Sequence, residues 1–228
     1  MTPERKKEFV KLFDSMTGAH SRPELWRDMI PLFALCIAQS VQWRKDREER
    51  YLGIVRRYDE KCLGTFSQLL GLLTVILEEG IRAESFGDPL GELFMEMQLG
   101  SSFGGQFFTP YHVALMMARL LMDAERVRRQ IAETGRATLY EPACGAGATL
   151  IAAAQALREQ GIDYQRQCVF YAQEIDEATA MMCYIQLSLL GAPAVVRVGN
   201  TLTDPEMRVD KNAWCTPMYM LGGAAWLN

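Results

Sequence analysis

The sequence predicts an α/β protein in which an all-helical N-terminal region, residues 1–104, precedes a parallel, doubly wound sheet in residues 105–228. Three observations lead there. Through the first part of the chain, apolar residues recur at helical spacings of three and four. After residue 136, short apolar runs alternate with helical patterns, the order that builds a parallel sheet. A glycine turn, Gly145-Ala-Gly147, joins the first of those runs to an alanine-rich helix.

Each element has its own justification. Pro3 to Phe13 sets Phe9, Val10, Leu12 and Phe13 against Lys and Glu, and Arg22 to Val41 carries Leu25, Trp26, Met29, Leu32, Phe33 and Cys36 at helical spacing. Arg44 to Arg57 is highly charged with alternating sign, a pattern that reads as a solvated helix face with i,i+4 pairs rather than a phosphate-binding stripe. An apolar helix follows from Phe66 to Glu79. Asp88-Pro89 opens another through Met97, because Asp caps well and Pro suits the first helical position. Gly100-Ser-Ser-Phe-Gly-Gly105 then breaks the chain and marks the seam between the two regions. Thr109-Pro110 starts a helix through Leu121, with a hydroxyl cap and a first-turn proline. Ala137 to Tyr140 reads as a buried strand, Ala148 to Glu159 as a helix, and Cys168 to Ala172 as a second strand ending in Gln173-Glu-Ile-Asp176. A helix from Glu177 to Leu190 and a third strand, Ala194 to Val198, complete the alternation.

Composition narrows the classes. At 228 residues, 49% apolar and 23% charged, the chain suits one large globular domain or a domain with an appendage. Its net charge of −4 lacks the basic clustering that advertises a nucleic-acid binder. The longest apolar run, Met29 to Val41, is broken by Pro31 and Gln39 and falls short of the roughly 20 residues a membrane helix needs, so no membrane span is expected. The N-terminus shows no secretory pattern. The six cysteines are widely spaced, with no C-x-x-C pair and no histidines nearby, which predicts reduced thiols in a cytoplasm and no metal site.

In an open parallel sheet, ligands bind beyond the carboxyl ends of the strands, so Glu141 to Gly147, Glu174 and Asn200 should converge on one crevice. Gly145 and Gly147 permit a tight turn and close approach of backbone to a ligand. Glu174 ends the second strand, where nucleotide-type sites hold a ribose diol. The turn is too short in glycine for a dinucleotide pyrophosphate, and the absence of Gly-Lys-Ser/Thr excludes a P-loop. A ligand with adenosine but no phosphate fits best.

Gly105-Gln-Phe-Phe-Thr-Pro110, Glu141-Pro-Ala-Cys-Gly-Ala-Gly147, Gln173-Glu-Ile-Asp176 and Gly199-Asn-Thr-Leu202 together resemble the ordered motifs of adenine-specific DNA N6-methyltransferases. The pattern is most similar to the modification subunit of type I restriction systems and covers about residues 85–205. The resemblance implies a Rossmann-like, S-adenosylmethionine-dependent methyltransferase sheet preceded by helices, in a bacterial, phage or plasmid protein acting on double-stranded DNA. It implies that Phe108, Thr109 and Pro110 touch the methionine end of S-adenosylmethionine, and that Glu141, Pro142 and the backbone of Ala143 to Gly147 cradle its ammonium and carboxylate. Glu174 takes both ribose hydroxyls, Ile175 covers the adenine face, and Asn200 addresses the cofactor's adenine amino group.

Two departures from the pattern stand out. The family's Asn/Asp-Pro-Pro-aromatic motif, which holds a flipped adenine for in-line transfer, has no counterpart with paired prolines here. The nearest segment is Thr216-Pro-Met-Tyr219, which makes Thr216, Pro217 and Tyr219 the candidate catalytic set. The sheet is also truncated: about half of a seven-stranded methyltransferase sheet is encoded, so an edge beside the first or fourth strand should lie open unless covered by the N-terminal helices, by the apolar tail Met218 to Leu227, or by a second copy or specificity-type subunit. An alternative reading is therefore a catalytically degenerate subunit acting through S-adenosylmethionine binding and protein partners; another is methylation of a protein amide or a small molecule.

Overall fold

The structure, a computed structural model, describes residues 1–99 and 107–222. Five helices form the N-terminal region: α1 (Pro3–Asp14), α2 (Arg22–Val41), α3 (Lys45–Val55), α4 (Glu60–Arg82) and α5 (Pro89–Glu96). Side-chain caps start four of them, from Thr2, Ser21, Asp59 and Asp88, each accepting a bond from the first-turn backbone. The helix expected from Phe66 begins a turn and a half earlier, because Asp59 caps it at Cys62 N–H. At 23 residues α4 is long and apolar enough by composition to cross a membrane; it packs Phe66, Leu69, Leu73, Ile76 and Leu77 into the core.

After the segment 100–106, which holds the expected seam together with Gly105 and Gln106 and lies outside the described residues, come α6 (Tyr111–Leu121) and α7 (Ala124–Thr134). Pro110, not Thr109, occupies the cap position of α6, and no side chain caps it. The sheet then forms from β1 (Ala137–Glu141), α8 (Ala148–Glu159), the short α9 (Tyr164–Gln167), β2 (Cys168–Glu174), α10 (Glu177–Leu189) and β3 (Ala194–Val198). β4 (Ala213–Cys215) and α11 (Pro217–Gly222) end the described chain.

Strand order is β1-β2-β3-β4. The first three are parallel, with Ala137 opposite Cys168 and Phe170 opposite Ala194, while β4 runs antiparallel to β3, with Val195 opposite Cys215. The segment before Thr216 is a poor strand by sequence, yet its three residues are buried at the sheet's far side.

The expected doubly wound arrangement is only half present. Alternation sends Leu139, Phe170, Ala172, Ala194 and Val196 to one face, where they share a continuous core with α1, α2, α4, α5, α8 and α10. The opposite face carries Val169, Tyr171, Val195, Ala213 and Cys215, and is covered by Met207 and by Tyr219 and Met220 of α11. The physical reason is that β1, β2 and β3 advance in one direction, so right-handed crossovers set both α8 and α10 on the same face.

The two edges differ. At β4 the charged stretch closes the sheet: Arg47 Nη2 donates to Ala213 O at 3.1 Å, its guanidinium lies 4.4 Å from the Trp214 ring centroid, and Arg44 Nη1 donates to Lys211 O. Arg50 pairs with Glu177 on α10. Arg44, Arg47 and Arg50 thus clamp the molecule internally, while Lys45, Asp46 and Glu49 keep the solvated face expected of the stretch, with Lys45 and Glu49 paired at i,i+4. At the other side β1 pairs, among the described residues, with β2 alone, and Thr138 and Tyr140 are exposed.

Candidate functional site

The carboxyl ends of β1, β2 and β3 meet through backbone bonds. Cys144 N–H donates to Gln173 O and Gly199 N–H to Glu174 O, both at 2.9 Å, and the Thr201 hydroxyl donates to Pro142 O. These bonds set the turn after β1 against the ends of β2 and β3, as the parallel-sheet rule requires.

Glu174 is the hub. Its Oε2 accepts from Gly145 N–H at 3.0 Å, and its Oε1 accepts from Ile175 N–H at 2.9 Å and Asp176 N–H at 3.1 Å. A carboxylate offers roughly four acceptor directions, so one remains for a ligand donor. Glu141 Oε1 accepts from Ala143 N–H at 3.2 Å. Asn200 is half-buried, its Oδ1 accepting from Leu202 N–H while its carbonyl accepts from Asp204 N–H.

Glycine is required twice in the turn. Gly145 and Gly147 have φ of +54° and +102°, a region other residues enter at a cost of about 1–2 kcal/mol. A Cβ on Gly147 would also lie 3.0 Å from Cys183 Sγ. Beside Gly145 lies the Phe108 ring, 3.6 Å from where a Cβ would sit, and Phe108 in turn meets Phe94 edge-on with centroids 5.0 Å apart. Thus Phe108 reaches the glycine turn, while Phe107 is 80% exposed and takes no part in the core. Thr109 and Pro110 are exposed next to it, and Ile175, Pro142 and Ala143 are exposed around the same shelf. No side chain caps α8, whose N-terminus follows Gly147 and faces the turn with its first backbone N–H groups.

The structure carries Thr216, Pro217 and Tyr219 elsewhere. Because β4 is antiparallel, Thr216 lies at the start of β3, about 13 Å along the strand from the crevice end. Its hydroxyl donates to Ala192 O at 2.7 Å and accepts from Ala194 N–H at 2.8 Å, so this fully buried Thr is committed to joining strand starts. Tyr219 is buried against the second sheet face, with burial raising its hydroxyl to about 12. These three residues and the shelf around Glu174 lie at opposite ends of the sheet.

Some residues that support the site were not apparent from the sequence. Gln173, fully buried, accepts from Tyr140 OH and donates to Asp204 O, tying β1 to the loop after β3. Arg197 on β3 pairs with Asp204 and Asp210 and holds the same loop. Gln186 lies fully buried in α10; a single amide inside the run Met181 to Leu189 was the available signal, since a buried amide must find partners. All six cysteines are free; Cys144, hydrogen-bonded to Cys183 and buried, has its thiol pushed well above the ordinary range.

Methylase subunits of type I restriction enzymes are among the proteins similar to this chain. The type I restriction enzyme MpnII methylase subunit of Mycoplasma pneumoniae is 27% identical over 107 residues, which are 46% of this chain and 18% of that protein. The MjaIX methylase subunit of Methanocaldococcus jannaschii is 24% identical over 107 residues, 47% of this chain and 17% of that one. A crystal structure of the type I restriction-modification methyltransferase subunit from Streptococcus thermophilus aligns with 91% of this chain and 60% of its own, at 16% identity and a TM-score of 0.42. The alignments span less than a fifth of the two curated relatives' length. Residues 84–215 match the N-6 DNA Methylase family. That match takes in more than half of the chain and includes the FFTP segment, the glycine turn, Glu174 and Asn200: the chain belongs to the N-6 DNA methylase family.

Proposed function

We propose that this chain binds S-adenosylmethionine on the shelf at the ends of β1, β2 and β3, as the cofactor-holding part of a DNA methyltransferase acting on adenine N6. The observation that carries the reading is Glu174, anchored by Gly145 N–H yet retaining acceptor capacity beside an exposed apolar residue, Ile175. When bound, the cofactor supplies a sulfonium methyl group, an electrophile. Glu174 holds the ribose hydroxyls and Ile175 lies against the adenine. Asn200 addresses the adenine amino group. Glu141, through the oxygen not engaged by Ala143 N–H, takes the ammonium, with Pro142 and the backbone from Ala143 to Gly147 shaping the seat. Phe108, Thr109 and Pro110 close over the methionine end and exclude water from it.

Thr216, Pro217 and Tyr219 have no place at this shelf, so they do not hold a flipped adenine against it. The bare β1 edge is where a second copy or a specificity-type subunit completes the sheet, with double-stranded DNA as the substrate. The curated relatives come from a bacterium and an archaeon, and we place this chain in the cytoplasm of such a cell, on its chromosome, a phage or a plasmid. The distance of the Thr216 segment from the shelf also favours a second reading, a cofactor-binding subunit that is itself catalytically silent and acts through partners.

Calorimetric titration with S-adenosylmethionine, followed by tritiated-methyl transfer to unmethylated genomic DNA, separates the two. Binding with transfer establishes the enzyme, binding without transfer the silent subunit, and absence of binding removes both. Glu174→Ala should weaken binding by about 1.5–3 kcal/mol, roughly 10- to 150-fold, through loss of a charge-assisted bond. Unchanged affinity would remove Glu174 from the site.

A further inference from the structure

The glycine turn is held from behind as well as from the strand ends. Gln186 on α10 donates both amide hydrogens, one to Ala146 O at 2.8 Å and one to Asp88 Oδ1 at 2.7 Å, while its Oε1 accepts from Leu90 N–H at 3.1 Å. The amide orientation is fixed twice over: reversing it would set Nε2 against the Leu90 N–H and Oε1 against the Ala146 carbonyl, two like pairs. Asp88 Oδ1 also accepts from Gly91 N–H at 2.9 Å, the cap that starts α5. Asp88 and Gln186 are 3% and 0% exposed, so water cannot replace a lost partner without opening the core. On the turn's side, Ala146 O is drawn inward and Gly147 N–H donates to Cys144 O, which orients the peptide linking Ala146 to Gly147.

We infer that Asp88 is a positioning residue for the cofactor shelf: through Gln186 it holds the Ala146 carbonyl and thereby the conformation of the glycine turn. Asp88 belongs to the helical region and to none of the motif segments. The helical region is thus part of the site's rear wall, and cofactor affinity responds to the first turn of α5. The proposal rests on the cofactor reading above only for its effect on affinity; its effect on the turn stands without any ligand.

Amide hydrogen exchange of the ligand-free full chain tests it, alongside titration with S-adenosylmethionine. Asp88→Ala should speed exchange across residues 143–147 at least tenfold and weaken cofactor affinity about tenfold. Asp88→Asn keeps an acceptor for both Gln186 and Gly91 and should restore slow exchange. Asp59→Ala removes a similar aspartate cap, that of α4, without touching the turn, and should leave both readouts unchanged. Equal loosening of the turn by Asp59→Ala, or unchanged exchange in Asp88→Ala, overturns the proposal. A wild-type chain that fails to bind the cofactor while Asp88→Ala still loosens the turn overturns the cofactor reading and leaves the positioning role standing.

Discussion

Asp88 carries a charge that its surroundings make costly. Burial raises its carboxyl to about 6, against the opposing pull of the Gln186 and Gly91 hydrogen bonds, and Glu92 on α5 adds to the rise. An acid with a raised folded-state value holds its proton to higher pH than the unfolded chain does. Stability therefore falls as pH rises from about 4 to 6 and stays lowered above that, by on the order of 3 kcal/mol. Asp88→Asn keeps the shape and the acceptor without the charge, so its stability relative to wild type should be greater at pH 7.5 than at pH 4.5. Urea denaturation at the two pH values measures this, and a pH-independent difference would show that Asp88 bears no burial cost. The sequence disclosed Asp88 as a cap because capping is local; its bond to Gln186, 98 positions away, was not legible in any spacing.

Local pattern disclosed most elements for the same reason. The strands β1 to β3 and the helices between them follow from alternating period and a glycine turn, signals carried within short windows. α7 escaped notice because Val127 and Ile131 are the apolar positions of its interior among Arg, Glu and Gln. β4 is not apparent from local pattern because its stability comes from partners far along the chain: Ala194 and Ala192 for Thr216, and Arg47 for Ala213. The tetrad Thr216-Pro-Met-Tyr219, chosen by its likeness to the family's motif, lands at the other end of the sheet because its strand pairs antiparallel. The loop that makes this reversal is held by Arg197, 3% exposed, whose guanidinium meets Asp204 and Asp210. Both carboxylates are about one-third exposed, so water compensates part of a loss. Arg197→Met should lower stability by about 2 kcal/mol and admit proteolysis between Asp204 and Asp210. A variant as protease-resistant as wild type would show that the loop is held by other contacts.

At the scale of the whole molecule, the two sheet edges set the expected behaviour in solution. Natural sheets protect edges with Lys, Pro, bulges or a covering element. The β4 edge has its cover in Arg47, but β1, Ala137-Thr-Leu-Tyr-Glu141, has one charged residue and no proline, and Tyr140 is 44% exposed. Beside it on the second face an open groove is lined by Thr138, Tyr140, Tyr171, Met207, Val209 and Tyr219. α6 adds a second apolar surface: Met116, Leu120 and Leu121 are 56%, 77% and 78% exposed, and the helix packs only its Ala114 side against α8. Among the described residues nothing covers this face, and a helix that turns most of its large apolar side chains outward offers a surface for association. Without a subunit to cover these surfaces, the purified chain should associate with itself, its weight-average mass in sedimentation equilibrium rising above 25.8 kDa across the micromolar range. Leu120→Glu together with Leu121→Glu places two charges on exposed positions that carry no core packing, and should return the mass to that of one chain while leaving the melting temperature within about 2 °C. A wild-type chain that stays at one copy at every concentration, with the double variant indistinguishable from it, would remove α6 and β1 as an interface for a second copy.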